Sequence, residues 1–142
     1  MAQAVSNQAD PIASANALAP EIRQRADEIE RNRAVPMDIV EKMRSASLFH
    51  LVLPRALGGL ECDPVTASRV VEEVADADGS AGWVLMIAAQ NQAFAGFLED
   101  GAIEEIWGNG QIVCGVARPI GRAVRVESPE PVSMWHGAQM VL

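Results

Sequence analysis

Apolar residues recur every three or four positions through the first part of the chain. Ile12, Ala15, Leu18, Ile22, Ala26 and Ile29 form one stripe, and Glu21, Arg25, Asp27, Glu28, Arg31 and Arg33 take the opposite face. This 3.6-residue period predicts an amphipathic helix from Asp10 to about Arg33. Asp10 stands at the cap and Pro11 at the first helical position, both favoured there. Pro20 lies inside the segment; lacking an amide donor and crowding the preceding turn, it predicts a kink or a fresh start at that point. A second, shorter helix is expected from Pro36 to near Ser47, with Met37, Val40 and Met43 inward.

Leu48, Phe49, Leu51, Val52 and Leu53 then make an apolar knot that ends at Pro54. Gly58-Gly59 follows, where the backbone can take positive φ without steric cost. A third helix opens at Asp63-Pro64; Val65, Val70, Val71, Val74 and Ala75 give its stripe, and Glu72, Glu73 and Asp76 its wet face. Asp78-Gly79-Ser80 breaks it and caps a fourth helix, expected from Ala81 to about Leu98.

That fourth helix is apolar on almost every face and meets no charge before Glu99. Helices of this kind are buried by neighbours on several sides, and the other helices of this chain are few. A fifth helix should run from Asp100 to about Trp107 and stop at Gly108-Asn109-Gly110. Gln111 to Ala117 is β-branched and apolar, as a buried strand would be; Arg122 to Glu127 is a second extended candidate. From Ser128 to Leu142 no period survives. The expected fold class is mainly α, with one or two short strands at its end.

Composition narrows the function classes. The 142 residues are 49% hydrophobic and 21% charged, within the globular range. Only 4% are aromatic, with no Tyr, so the core must be aliphatic. Net charge is −8, concentrated before Gly110, where seventeen acidic residues face eight basic ones. Such a body repels phosphate backbones, which disfavours nucleic-acid binding. Cys62 and Cys114 lie far apart with no His spacing, so no metal site is expected. No secretory start and no run near the ~18 apolar residues of a membrane span appear. A cytoplasmic protein with no membrane partner is the expectation.

The order of Leu53-Pro54, Gly58-Gly59, Asp78-Gly79-Ser80 with Trp83, and the segment Gly115 to Val126 resembles the N-terminal helical domain of the acyl-CoA dehydrogenase fold, and most closely its flavin-dependent monooxygenase branch. The segment GVARPIGRAVRV resembles the start of the family's β domain, where a Thr-Glu-Pro-x-x-Gly type stretch lies along the flavin. Pro119 and Gly121 fit; Ala117 and Arg118 stand at the hydroxyl and acidic positions, a departure typical of the monooxygenase branch. Ser128-Pro129-Glu130-Pro131 replaces the turn that follows. The resemblance implies residues 1–110 as the helical domain, 111–127 as the start of a truncated β domain, and 128–142 as an irregular tail.

For function, the resemblance implies a flavin-dependent oxidoreductase. A complete relative would take reduced FAD or FMN from a separate flavin reductase and hydroxylate an aromatic or other apolar substrate with oxygen. This chain would be its N-terminal part, incomplete and inactive alone. Substrate contact would fall to the fourth helix, through Trp83, Gln90, Asn91, Gln92 and Phe94; an amide in an apolar cavity orients a polar substrate group because it is costly unpaired. Val116 and Ala117 would lie near the flavin by position. An ordinary core and an ordinary strand are the competing readings of these same residues. No catalytic residue can be named: His50 and His136 have no partner at catalytic spacing, and His50 sits in an apolar run. The alternatives are a non-catalytic helical interaction module, pairing with itself or with a full-length relative, and a fragment of a dehydrogenase proper.

Overall fold

The computed structural model describes residues 10–108, 111–113 and 115. Six α-helices account for most of this: α1 (Pro11–Gln24), α2 (Ala26–Asn32), α3 (Met37–Ser45), α4 (Pro64–Ala77), α5 (Gly79–Asn91) and α6 (Asp100–Trp107). Short 3-10 turns span Leu48–His50 and Arg55–Leu57, and a longer one, Gln92–Phe97, continues α5. No strand occurs among the described residues. The expected strand at 111–117 is therefore not formed at 111–113 or 115; the rest of it, and the extended piece at 122–127, lie outside the described residues.

The aspartates placed before the helices act as the sequence suggests. Asp10 Oδ1 accepts from the Ile12 amide at 3.0 Å, and Asp63 Oδ1 accepts from Val65 and Thr66 at 2.9 and 3.1 Å. Each is followed by a proline whose missing N–H would have been an orphan in that first turn. The Asp63 carboxyl lies below its ordinary range, mainly because the Thr66 hydroxyl and amide donate to its charged form.

The first long helix does break, but at Arg25 and not at Pro20. Pro20 sits inside α1 on the exposed side, so water can reach the carbonyl that its missing amide leaves free. At Arg25 the backbone opens to φ −102°, ψ 9°, and its amide is shared between the Glu21 and Ile22 carbonyls. The Arg25 guanidinium grips both carboxylate oxygens of Glu28, at 2.8 and 3.0 Å, and also bonds Asp38. One side chain thus fixes α2 and the first turn of α3. The Glu28 carboxyl is lowered by its hydrogen bond to Arg25, and the Arg25 guanidinium is raised in turn.

α4 is the central helix, packed against α1 on one side and α5 on the other. The main core joins Ile22, Ile29, Ile39, Met43, Phe49, Val74 and Leu85, all essentially sealed from solvent. A second, smaller cluster gathers Leu53, Ala95 and Trp107 beneath α6. Between them, residues 50–62 form a pinched loop closed by amide-to-carbonyl bonds from Leu60 to His50, Glu61 to Leu53 and Cys62 to Leu51. Gly59 is required in that pinch, because a Cβ there would overlap the Leu53 carbonyl.

Candidate functional site

α5 begins where α4 ends, with one residue serving both. Asp78 donates its amide to the Val74 carbonyl, and its carboxylate accepts from the Ala81 amide at 2.8 Å. From there, Ala81, Leu85, Ala88 and Ala89 face inward, at the spacing of a buried stripe. Several large apolar side chains of α5 and of the stretch that follows it lie open to solvent. Trp83 is 63% exposed, Phe94 57% and Phe97 85%, with Val84 and Leu98 also open. Such a concentration on an uncharged stretch of twenty residues, Gly79 to Leu98, marks a surface made to be covered.

The helix expected to run to Leu98 stops being α-helical at Asn91 and tightens into the 3-10 turn Gln92–Phe97. Two side-chain amides bond at this junction. The Gln92 backbone N–H bonds Ala89, three residues back, and its side-chain Nε2 donates to the Ala88 carbonyl at 3.0 Å. Its Oε1 accepts from the Trp107 indole N–H. Asn91 Nδ2 likewise donates to the Ile87 carbonyl, at 2.6 Å.

The five residues proposed for substrate contact therefore separate into two groups. Trp83, Gln90 and Phe94 are exposed on the outer side of α5 and its continuation. Gln92 is fully enclosed, with both ends of its amide used inside the protein, and Asn91 is nearly so. A Cβ on Gly115 would lie 3.2 Å from Asn91 Oδ1, so the chain passes close against the end of α5 there. Val116 and Ala117 lie outside the described residues. His50, half-buried, donates from Nε2 to the Gln111 carbonyl at 3.2 Å, which ties the pinched loop to this last segment. Trp107 was not among the candidates; its burial partner Gln92 is fifteen residues away in sequence, and no local pattern links them.

Among the described residues, no group of His, Cys, Asp and Glu is arranged to hold a metal. Nor, among these residues, is any buried side-chain nitrogen or oxygen left without a partner. A groove of about 600 Å³ between α2 and the start of α5 is lined by Asp27, Ile29, Glu30, Arg33, Asp78 and Val84. It is open to solvent and includes none of the five substrate candidates. No helix among the described residues is long and apolar enough to cross a membrane.

Residues 13–106 match the family described as acyl-CoA dehydrogenase, N-terminal domain, and the chain belongs to that family. It is 35% identical over 94 residues to the oxygenase subunit HsaA of a flavin-dependent monooxygenase from Rhodococcus jostii, covering 66% of this chain and 25% of the relative. It is 33% identical over 87 residues to indole-3-acetate monooxygenase from Pseudomonas putida, covering 61% and 22%. The crystal structure of 3-HSA hydroxylase from Rhodococcus sp. RHA1 superimposes with a TM-score of 0.68 at 32% identity, over 73% of this chain and 27% of that one. The chain thus spans about a quarter of the length of these relatives.

Proposed function

We propose that this chain is the N-terminal helical part of a flavin-dependent monooxygenase that hydroxylates an aromatic or similarly apolar compound. The observation that carries this is the open, uncharged aromatic face of α5 and its 3-10 continuation, held on a domain of this family. Trp83 and Phe94 supply flat apolar contact to a substrate ring, and Gln90 supplies a hydrogen-bonding amide beside them. The wall excludes water and orients the substrate. Reduced flavin and oxygen supply the oxidising chemistry, which the described residues do not house. The names of the relatives support this reading: each is a monooxygenase or hydroxylase, and one is named for an indole compound.

In this reading residues 111–127 open the β domain, Val116 and Ala117 lie along a FAD or FMN, and a separate flavin reductase is the partner. The setting is cytoplasmic. The test is a chimera in which residues 1–115 of this chain replace the corresponding part of an HsaA-type relative. Flavin-dependent hydroxylation of an apolar aromatic should be retained, and Trp83→Ala or Phe94→Ala should raise KM or change the site of hydroxylation. A chimera that turns over normally but ignores both substitutions would refute the assignment.

The exposure of Phe97 and Leu98 also favours a second reading, a helical interaction module that covers this face with a second copy or a full-length relative. A monodisperse monomer by light scattering, without binding of apolar dyes, counts against it.

A further inference from the structure

We infer that Gln92 is a positioning residue, whose two hydrogen bonds set the direction in which Phe94 and Phe97 face. The inference deepens the reading of α5 as a substrate wall and rests on it for its functional meaning. An α-helix turns by about 100° per residue, so an uninterrupted helix would bring Phe94 and Phe97 within about 20° and 40° of the Trp83 direction. All three rings would then crowd one face. In a 3-10 helix residues three apart eclipse one another. On ideal 3-10 geometry the turn Gln92–Phe97 brings Phe94 and Phe97 onto one line, roughly a quarter turn from Trp83. The wall becomes two adjoining apolar strips in place of one ridge.

The change of helix type has an identifiable cause. In an α-helix the Ala88 carbonyl would accept from the Gln92 backbone amide; that amide instead reaches Ala89. The Gln92 side chain donates its own N–H to the Ala88 carbonyl, so that acceptor keeps a partner in the tightened turn. The Trp107 indole holds the other end of the same amide, in the cluster with Leu53 and Ala95. Ala95, three residues after Gln92, is fully buried on the same side, as the 3-10 phase requires. An apolar residue at 92 could fill the space but could not select this turn.

The chain contains three phenylalanines, Phe49, Phe94 and Phe97, so uniform labelling with 4-fluorophenylalanine reports on both wall residues and on one core reference. Two variants of the full chain serve: Gln92→Met, which keeps the length but loses both bonds, and Trp107→Phe, which keeps a ring and removes only the indole donor. The expected result is that the fluorine resonances of Phe94 and Phe97 move well outside their linewidths in both variants, while Phe49 stays in place. Folded variants with all three resonances unmoved would overturn the inference. Unfolding of the mild Trp107→Phe variant would also overturn it, since the bond would then be a condition of folding and not a device of position. The substrate-wall reading is judged separately, by turnover of the chimera with Trp83→Ala.

Discussion

Gly82 of α5 and Ala75 of α4 meet so closely that no second methyl group fits between them: a Cβ on Gly82 would lie 2.5 Å from the Ala75 Cβ and 2.6 Å from its Cα. Replacing a helical glycine by alanine ordinarily stabilises by ~0.5–1 kcal/mol. Here the obstacle includes backbone, so the helices must part. Gly82→Ala is expected to destabilise by about 1–3 kcal/mol. Gly101→Ala, in open space on α6, should gain the ordinary amount. Urea unfolding of the two variants checks the contrast.

Burial divides the apolar residues of α5 and its 3-10 continuation into two kinds that composition alone cannot separate. Leu85 is sealed in the core, and Leu85→Ala should cost about 2–5 kcal/mol. Phe97→Ser should change stability by no more than ~0.5 kcal/mol, yet lower the fluorescence of a bound apolar dye. Equal losses of stability in both variants would show that the outer face is packed in the isolated chain.

The Asp63 cap predicts a pH dependence with a definite sign. Its folded-state pKa is depressed by the donors it accepts from. The stabilisation is therefore present above the ordinary carboxylate range and is lost as pH falls through the lowered folded value. Asp63→Ala should lower Tm by a constant amount between pH 7 and 5. The gap to the wild type should narrow only below about pH 4, as thermal melts across that range would show.

Arg23 and Asp76 make a 2.8 Å ion pair between α1 and α4 with both side chains largely exposed. Solvent screening leaves such pairs little net value. Arg23→Gln should leave Tm within a degree or two, and the difference should vanish in about 1 M salt.

How much of this was legible in advance differs from one element to the next. Asp10-Pro11 and Asp63-Pro64 are local signals whose chemistry is complete within four residues, and the helices start where they say. At the break Arg25 bonds Asp38, thirteen residues on, whereas Pro20 is the signal that local sequence displays. At the end of α5 the Gln92 side chain bonds Trp107, fifteen residues on, whereas the uncharged, largely apolar run by itself predicts a continuous helix to Leu98. For the site, composition pointed to α5, but only packing distinguishes the open Trp83 and Phe94 from the enclosed Gln92. Amides on an apolar helix carry no mark in the sequence of whether they face a ligand or a neighbouring indole.

Asp78 ends one helix and begins the next without a spacer, so the most extensive packing around α5 is between segments adjacent along the chain. Contacts of short sequence separation form early, because little loop entropy opposes them. The α4–α5 hairpin is thus a piece that can close locally, whereas α1, made earlier, must reach α4 across the intervening α2, α3 and pinched loop. It would close with Trp83 already turned outward, so this surface is open to other chains during folding as well as in the final packing.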